Sequence, residues 1–449
     1  MPAIESITPW APHPSARPAT AFADDALHVS ANGARTCVGG WQIVYSGVEP
    51  GQAYAISCQA TWPSGSSAPP LSLRDHLQCV AHWEVLPADQ PRTNGPWAYL
   101  LPERIAPDRM RFANTLVAPP EATQLTIRYT FRWATEGAAT WSLPEIVATD
   151  SSPVAPPASR PPVKIAVVTG GHWDRQGPHT VAGNTAFYHQ LCQAACQEAP
   201  DLILLPEVCL QWQVPGSALD YALPLDAPEV DLFRQIARDH ELYLGLGLFE
   251  RDGDAVFNTL ALLGPDGEVA GCYHKVHLAV LSESDSGVLP GETFPVVDTR
   301  LGRMGFNICM DTSAAESSRM VGLNGADFLL MPIMGDHRAD RWDVGRPYYN
   351  EDRWRAIMRT HAMDNQLCMV IARNEAHGSC VIDRKGDILA WNEGTADYVT
   401  ATVNLDDGYR TFADGCFREV NWVQRRPHLY GAFLDENNVG SLRNQHPAP

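Results

Sequence analysis

Apolar and polar residues alternate with a period of two along much of the N-terminal part of the chain. In LTIRYTFRW, Leu125, Ile127, Tyr129 and Phe131 fall on one face, and threonine and arginine fall on the other. Similar short runs recur between residues 36 and 148, separated by Pro, Gly and polar turn residues. No segment of helical period interrupts them. This pattern predicts an all-β sandwich over residues 36–148.

The segments on either side of the predicted sandwich have a different composition. Residues 1–35 are rich in proline and alanine, which predicts an extended N-terminal segment ahead of the sandwich. Residues 149–162 read TDSSPVAPPASRPP, a composition typical of a linker between domains. A domain boundary is therefore expected at this linker.

Beyond the linker, short apolar runs alternate with segments of helical period, which predicts an α/β layered domain. We place this domain at residues 163–432, followed by a C-terminal tail at residues 433–449. Strands are expected near residues 164–169, 201–205, 243–249, 259–264, 268–274, 368–374, 379–383, 388–391 and 398–404. Helices are expected near residues 184–199, 230–240 and 353–365.

Charge and cysteine content narrow the class of protein. The chain has 449 residues, with 33 Lys and Arg against 52 Asp and Glu, and therefore a net charge of −19. Such a protein repels phosphate, which disfavours nucleic acid and anionic membrane surfaces as partners. No apolar run approaches the roughly 18 residues that span a bilayer, and the N-terminus lacks the pattern of a secretory signal. Eleven scattered cysteines without a CxxC pair favour reduced thiols in the cytoplasm.

One of these cysteines follows a predicted strand. The strand Met304–Ile308 ends at Cys309, a helical segment follows from Ser313 to Leu323, and a second strand runs from Phe328 to Met331. Ligands and reactive groups collect at the carboxyl ends of strands in open α/β sheets. The N-terminus of the following helix would stabilise a negative charge. We therefore expect Cys309 to favour the thiolate form.

Three further ionisable residues could join this thiol. Glu207 directly follows the apolar run LILLP, Lys275 lies within CYHKVHL, and Glu283 lies in the loop SESDSGVLPGE. Taken singly, they have ordinary explanations as a cap or salt bridge, a snorkelling lysine and a solvated glutamate. Taken together, they could converge on one crevice and supply a general base, an electrostatic stabiliser and a positioning group for the thiol.

The order of these motifs resembles the nitrilase, or carbon–nitrogen hydrolase, superfamily. The resemblance rests on LILLPE, YHKVHL and GRMGFNICMD followed by GADFLLMP, with support from GPDGEVAGCYHK, VLPGETFPVVDT and VIDRKGDIL. It covers roughly residues 163–432. It implies an α/β fold in which two sheets lie between two layers of helices, an αββα sandwich. It also implies chemistry without a cofactor or a metal.

The resemblance further implies a role for each site residue. Cys309 would be the nucleophile that forms a thioester, and Glu207 would take its proton and later activate water. Lys275 and the backbone N–H of Met310 would stabilise the oxyanion, and Glu283 would position the lysine or the substrate. The expected reaction is hydrolysis of a non-peptide carbon–nitrogen bond in an amide or N-carbamoyl compound, releasing ammonia or an amine.

The substrate is less well defined than the site. Relatives specialised for nitriles usually carry Trp-Glu after the cysteine, whereas Met310-Asp311 resembles the amide and carbamoyl branches, so nitrile hydrolysis is the alternative within the superfamily. His337, Arg338 and Arg341 follow a predicted strand, which suggests contact with a small polar or carboxylate-bearing substrate. A homodimer or higher homo-oligomer is expected, as for most soluble enzymes.

The β-domain resembles jelly-roll modules of the carbohydrate-binding type, from GGWQ through VEPGQAYAISC and LTIRYTFRW to ATWSLPEI. Five tryptophans could stack on a sugar, although aromatic strand residues are more often core: Trp41, Trp83, Trp97, Trp133 and Trp141. A hypothesis of a different class is a ligand-binding protein that uses the β-module and has an inactive second domain. The presence of Glu207, Lys275 and Cys309 argues against it.

Two residue pairs have the spacing of metal ligands. His274 and His277 form H-x-x-H, but on a strand this spacing points the two rings to opposite faces. Cys192 and Cys196 lie four residues apart on a predicted helix without a second pair of ligands nearby in sequence. We interpret both pairs as structural.

Overall fold

The computed structural model of the protein describes residues 2–63, 73–85, 97–149, 160–169, 179–279, 282–335, 339, 349–405 and 422–434. The chain forms two compact units, one of Met1–Ser159 with Arg410–Pro449 and the other of Arg160–Tyr409. In the described ranges, none of the helices is long and apolar enough to cross a membrane.

The first unit is a sandwich of two antiparallel sheets. Its strands are β1 Ala3–Trp10, β2 Ala19–Ala23, β3 Ala26–Ser30, β4 Val38–Ser46, β5 Ala53–Thr61, β6 Leu77–Val85, β7 Trp97–Tyr99, β8 Leu101–Ala106, β9 Arg109–Val117, β10 Ala122–Arg132, β11 Ala138–Ser142 and β12 Glu145–Thr149, with a short helix α1 Leu73–His76. One sheet has the order β1-β4-β10-β6-β7, and the other β2-β3-β11-β5-β9-β8 with β12 beside β5.

The alternating pattern of β10 places its apolar residues in the core between these sheets. Leu125, Ile127, Tyr129 and Phe131 are all fully buried, as the period of two predicts. The Tyr129 ring stacks on Trp141, with 4.7 Å between ring centroids. The predicted all-β sandwich is therefore confirmed.

The sandwich begins earlier than the sequence pattern predicted. Residues 1–35 are not a lead-in segment, because they contribute β1, β2 and β3 to the two sheets. Strand β1 pairs with β4, and β2 pairs with β3. Both β1 and β2 lie at sheet edges, and most of their residues are half-buried or exposed. An edge strand needs no clear apolar face, and it tolerates the prolines that obscured this pattern.

The tryptophans of the first unit do not form one exposed platform. Trp41, Trp83 and Trp141 are buried in the core. Trp133 is 51% exposed, and the Arg132 guanidinium lies 4.0 Å from its ring centroid. Trp97 is half-buried. Among these five tryptophans, Trp133 and Trp97 are the ones with a solvent-accessible ring.

The described segment 422–434 is grouped with the first unit. Within the described segment 422–434, Arg426 Nε lies 2.9 Å from Asp75 Oδ2, and His428 Nδ1 lies 3.3 Å from the same oxygen. Asp75 is buried, so these two contacts compensate its charge.

The second unit contains both sheets and helices. Its strands are β13 Val163–Val168, β14 Leu202–Leu204, β15 Tyr243–Asp252, β16 Ala255–Leu263, β17 Val269–His274, β18 Val296–Thr299, β19 Gly302–Phe306, β20 Phe328–Ile333, β21 Cys368–Arg373, β22 Cys380–Ile382, β23 Ile388–Trp391 and β24 Tyr398–Val403. Its helices are α2 Val181–Cys196, α3 Ala218–Tyr221, α4 Pro228–Asp239, α5 Ala315–Leu323 and α6 Glu351–Asn365.

These elements form four layers. One sheet has the order β17-β16-β15-β14-β13-β24, and the other β18-β19-β20-β21-β22-β23. Helices α2 and α4 pack on the first sheet, α5 and α6 pack on the second, and the two sheets pack against each other. Apolar side chains from both sheets, such as Ile165 and Phe306, fill the space between them. The predicted αββα sandwich is confirmed.

The central strands of both sheets are parallel, which brings several strand ends to one edge. Strands β13, β14 and β15 are parallel neighbours in the first sheet, and β19, β20 and β21 are parallel neighbours in the second. Glu207 follows β14, Lys275 follows β17 and Cys309 follows β19. Their positions agree with the general tendency of α/β sheets to place reactive groups at carboxyl strand ends.

Candidate active site

The structure brings the predicted ionisable residues together in one buried cluster. Glu207, Lys275, Glu283 and Cys309 are exposed to solvent by 3%, 1%, 6% and 7% respectively. Charged side chains are seldom buried to this degree unless they are paired. The contacts between them therefore decide whether the cluster is stable.

Lys275 connects the two glutamates. Its Nζ lies 2.8 Å from Glu207 Oε1 and 2.8 Å from Glu283 Oε2. The same Glu283 oxygen also accepts a hydrogen bond from the backbone N–H of Ala279 at 2.7 Å. Two charge-assisted hydrogen bonds fix the ammonium between the carboxylates.

Asn258 joins this cluster and was not identified from the sequence. Its Nδ2 donates to Glu207 Oε1 at 2.8 Å and to Glu283 Oε1 at 2.6 Å. It lies in β16 within FNTLALL, and the sequence pattern placed the start of that strand at Thr259. A single amide in an otherwise apolar, buried strand was the signal that could have found it.

The charges in the cluster shift the pKa of both Lys275 and Cys309. Burial alone would lower the pKa of Lys275, but Glu207, Cys309 and Glu283 together outweigh burial and raise it above the usual value for lysine. Burial and the negative charge of Glu207 raise the pKa of Cys309 to about 12, although Lys275 acts in the opposite direction. The lysine is therefore charged, and the cysteine is a thiol at neutral pH.

This result corrects the expectation that Cys309 favours the thiolate. The next α-helix, α5, begins only at Ala315, so its N-terminus is not adjacent to the sulfur. Cys309 instead begins a single 3₁₀ turn, Cys309–Ser313. The effect of a helix dipole falls off within about one turn, and burial outweighs it here.

The turn at Cys309 holds the backbone in an uncommon conformation. Cys309 has a φ of 43°, in the left-handed region that non-glycine residues rarely adopt. Asp311 Oδ2 accepts hydrogen bonds from the backbone N–H of Ile308 at 2.8 Å and from the Tyr273 hydroxyl at 2.7 Å. Thr312 Oγ1 donates to the Cys309 carbonyl at 2.9 Å. These bonds fix the direction of the cysteine side chain.

Comparison with known proteins identifies the family. The profile of the carbon–nitrogen hydrolase family matches residues 164–411, more than half of the chain. The chain belongs to the carbon–nitrogen hydrolase family. The match covers the strands and turns that carry Glu207, Asn258, Lys275, Glu283 and Cys309, and the protein is therefore a carbon–nitrogen hydrolase.

Individual relatives of this carbon–nitrogen hydrolase are distant. Citrullinase of Francisella tularensis is 28% identical over 296 residues, which cover 61% of this chain and 98% of the relative. Omega-amidase NIT2-B of Xenopus laevis is 26% identical over 214 residues, covering 46% of this chain and 72% of the relative. An amidase from Nesterenkonia sp. aligns structurally over 60% of this chain and 96% of its own, with 20% identity and a TM-score of 0.48.

Further contacts hold Glu207 in place in this carbon–nitrogen hydrolase. Its second carboxylate oxygen, Oε2, accepts a hydrogen bond from the backbone N–H of Met334 at 3.1 Å. The Glu207 carbonyl accepts from Asn374 Nδ2 at 2.7 Å. Cys309 Sγ lies 3.7 Å from the carbonyl oxygen of Gly335. The chain directly after β20 therefore borders both the Glu207 carboxylate and the Cys309 thiol.

The loop beyond Gly335 contains the predicted substrate contacts. His337, Arg338 and Arg341 lie outside the described residues, so their contact with a substrate stays a prediction. Met310, the predicted oxyanion donor, follows Cys309 in the 3₁₀ turn and is half-buried against the core between the sheets.

The two residue pairs with metal-ligand spacing have different surroundings. His274 Nε2 lies 3.0 Å from Glu250, whereas His277 Nδ1 lies 2.8 Å from Asp311. Cys192 and Cys196 are buried in the core between α2 and the first sheet, as the structural interpretation predicted. Burial raises the pKa of both thiols.

Proposed function

We propose that this carbon–nitrogen hydrolase cleaves an amide or N-carbamoyl bond through a thioester on Cys309. The observation that carries the proposal is the position of Lys275, 2.8 Å from both Glu207 and Glu283 and beside a buried thiol. This arrangement supplies a nucleophile, a base and a fixed positive charge in a site that excludes most water.

In the first half of the reaction, the thiol proton of Cys309 passes to Glu207 as sulfur attacks the carbonyl carbon. A base is required because the raised pKa keeps the free cysteine protonated. The oxyanion forms near the Lys275 ammonium and the Met310 N–H, and one such donor is commonly worth roughly 3–4 kcal/mol. Glu207 then returns the proton to the leaving nitrogen, and the carbon–nitrogen bond breaks.

In the second half, Glu207 takes a proton from water, and the resulting hydroxide attacks the thioester carbonyl. The carbon–sulfur bond breaks, and the sulfur recovers its proton from Glu207. One carboxylate thus acts as base and acid in both halves.

Asn258 and Glu283 have positioning roles in this proposal. Asn258 donates to one oxygen of each glutamate, so it separates two carboxylates that would otherwise repel each other. Glu283 gives Lys275 a second carboxylate contact in addition to Glu207. Neither residue needs to contact the reacting atoms for these effects.

The names of two relatives support the proposed substrate class. A citrullinase and an omega-amidase are among them, and both names fit the amide and N-carbamoyl class expected from Met310-Asp311. We propose that the substrate is a small molecule with a terminal amide or ureido group. The basic residues His337, Arg338 and Arg341 would favour one that also carries a carboxylate.

A substrate screen tests this proposal. Release of ammonia or amine from terminal amides, N-carbamoyl compounds including citrulline, and nitriles is measured with the wild-type protein and with Cys309→Ala. We expect an amide or ureido compound to be the best substrate, and we expect Cys309→Ala to be inactive. Preference for nitriles would support the alternative activity, and activity in Cys309→Ala would overturn the mechanism.

We also propose that the protein works in the cytoplasm as a homodimer or higher homo-oligomer. Among the described cysteines, Cys58 and Cys79 form no disulfide, although their sulfur atoms lie 3.9 Å apart. Closely spaced cysteines without a disulfide are typical of proteins from a reducing compartment. Light scattering at several protein concentrations tests the oligomeric state, and a mass that corresponds to one chain at all of them would contradict the proposal.

A further inference from the structure

A second cluster of reactive side chains lies on the helix-facing side of the first sheet of the second unit. Cys272 and His274 are two residues apart on β17, so they share one face. Tyr273 between them points the other way, and its ring lies 6.4 Å from that of Phe306 in the opposite sheet. Glu250 on β15 lies on the same face as Cys272 and His274, and none of the three belongs to the hydrolytic cluster.

Three potential ligand atoms of this cluster form a small triangle. Glu250 Oε2 lies 3.0 Å from His274 Nε2, Cys272 Sγ lies 3.7 Å from Glu250 Oε2, and Cys272 Sγ lies 3.8 Å from His274 Nε2. Tetrahedral zinc, with bonds of about 2.0–2.1 Å to nitrogen and oxygen and about 2.3 Å to sulfur, requires N···O near 3.3 Å and S···N or S···O near 3.6 Å. The observed triangle differs from this geometry by only a few tenths of an ångström.

The types of ligand atom select the kind of ion. One thiolate, one imidazole and one carboxylate suit zinc and related transition metals, whereas calcium and magnesium prefer oxygen ligands alone. The complex of a divalent ion with the Cys272 thiolate and the Glu250 carboxylate would have no net charge. Neutrality favours binding here, because Glu250 is only 7% exposed and an unbalanced charge would be costly.

Neighbouring residues already hold two of these ligands in position. Thr259 Oγ1 donates to Glu250 Oε2 at 2.8 Å. The His274 ring stacks on Phe257, with 3.9 Å between ring centroids and 5° between the planes. Such supporting contacts orient metal ligands before the ion arrives. The His274 side chain is 30% exposed, which leaves a path for an ion to enter.

We propose that Glu250, Cys272 and His274 form a binding site for Zn²⁺ or a similar transition-metal ion. Binding releases the thiol proton of Cys272 to solvent, and water completes the tetrahedral coordination. The site is separate from the hydrolytic cluster, and its existence does not depend on the proposed reaction. Strand β17 links the two sites directly, since His274 precedes Lys275.

Another group of possible ligands provides a control. Glu351, His377 and Glu393 also place ligand atoms close together. Glu351 is engaged by Arg355 in an ion pair, Glu393 is exposed, and the group lacks a thiolate. It therefore competes poorly for zinc, and His377→Ala is a matched variant that removes one histidine without affecting the proposed site.

Metal titration of the full-length, metal-free protein tests the proposal. Zn²⁺ is titrated in competition with a chromophoric chelator, and Co²⁺ is used as a spectroscopic probe. We expect one tightly bound Zn²⁺ per chain and a thiolate-to-cobalt charge-transfer absorption. In Cys272→Ser and His274→Ala, the affinity for Zn²⁺ should fall by more than the roughly 10–100-fold that loss of a supporting residue causes. The cobalt absorption should be lost or weakened in the same two variants. Both the affinity and the absorption should persist in His377→Ala.

Cys309→Ala distinguishes the new site from metal binding by the catalytic thiol. The cobalt absorption should persist in this variant if Cys272 is the ligand. Its loss there, or its retention in Cys272→Ser, would overturn the proposal, as would the absence of a tightly bound Zn²⁺ from the wild-type protein. Circular dichroism of each variant confirms that weaker binding does not reflect unfolding.

Discussion

Glu283 lies eight residues after Lys275 in the chain, and its Oε2 holds the lysine ammonium at 2.8 Å. The backbone N–H of Ala279 donates a hydrogen bond to the same oxygen. A buried lysine with one carboxylate partner would lose that partner whenever Glu207 takes up a proton. With Glu283 as a second partner, Lys275 keeps one carboxylate contact when Glu207 takes up a proton in the proposed reaction.

The roles of the two glutamates can be separated by substitution. Glu283→Gln preserves the shape of the side chain and removes its charge, so we expect kcat to fall about 10–100-fold through poorer positioning of Lys275. Glu207→Gln also removes the proposed base, so the fall in kcat should be larger, about 10³-fold or more. Steady-state kinetics measures both, and equal losses would contradict distinct roles.

Asn258 should contribute to catalysis although it carries no charge. Asn258→Ala removes the hydrogen bonds to both glutamates, and each bond to a charged group is worth about 1.5–3 kcal/mol. We expect lower kcat and lower thermal stability. Asn258→Asp should be the more damaging change, because it places a third carboxylate beside two others. An Asp variant as active as the wild type would contradict this role.

The reactivity of Cys309 should depend on the charge of Glu207. Because burial and Glu207 raise the thiol pKa to about 12, alkylation of Cys309 by iodoacetamide should keep rising with pH beyond the usual cysteine value of about 8.5. In Glu207→Gln, the pKa of Cys309 should fall because Lys275 remains. The alkylation rate should therefore rise at lower pH than in the wild type. Peptide mapping follows Cys309 among the other cysteines, and identical profiles would contradict this coupling.

His277 should make the stability depend on pH. Its hydrogen bond to Asp311 raises the pKa of His277, although burial partly opposes the effect. A raised pKa means that protonated His277 stabilises the fold below about pH 6.5. This contribution is lost as the pH rises through the value in the folded protein. Denaturant titration should therefore show a larger stability difference between wild type and His277→Gln at about pH 5.5 than at about pH 8.5, and a constant difference would contradict the assignment.

The two kinds of tryptophan in the β-sandwich should respond differently to substitution. Trp141 is fully buried and stacks on Tyr129, so Trp141→Ala should reduce the free energy of unfolding by about 3–5 kcal/mol. Trp133 is 51% exposed, so Trp133→Ala should change the free energy of unfolding by less than about 1 kcal/mol. Chemical denaturation measures both. If the unit binds a sugar through Trp133, the second variant should lose that binding without losing stability.

Features with a strong local pattern could be predicted from the sequence. The alternation of β10 predicted its buried face, and the apolar runs before Glu207, Lys275 and Cys309 predicted their places at strand ends. The fold class followed from the alternation of strands and helices. The family resemblance then supplied roles for residues that local pattern alone leaves ambiguous.

Features that depend on contacts distant in sequence could not be predicted in this way. Asn258 binds Glu207 and Glu283 from another strand, so its partners are not visible from its neighbours in the chain. The protonation state of Cys309 depends on how deeply it is buried and on the Glu207 charge, and the helix pattern alone indicated the opposite. Strands β1 and β2 lie at sheet edges and carry no strong apolar face.

The central claim is that Cys309 carries the acyl group. A mixture of the wild-type protein and its best amide or ureido substrate, quenched rapidly in acid, is analysed by mass spectrometry of the intact protein and its peptides. We predict an added mass equal to the acyl group on the peptide that contains Cys309, its removal by hydroxylamine, and its absence from Cys309→Ala. An acyl group on another residue, or turnover by Cys309→Ala at the wild-type rate, would contradict the mechanism.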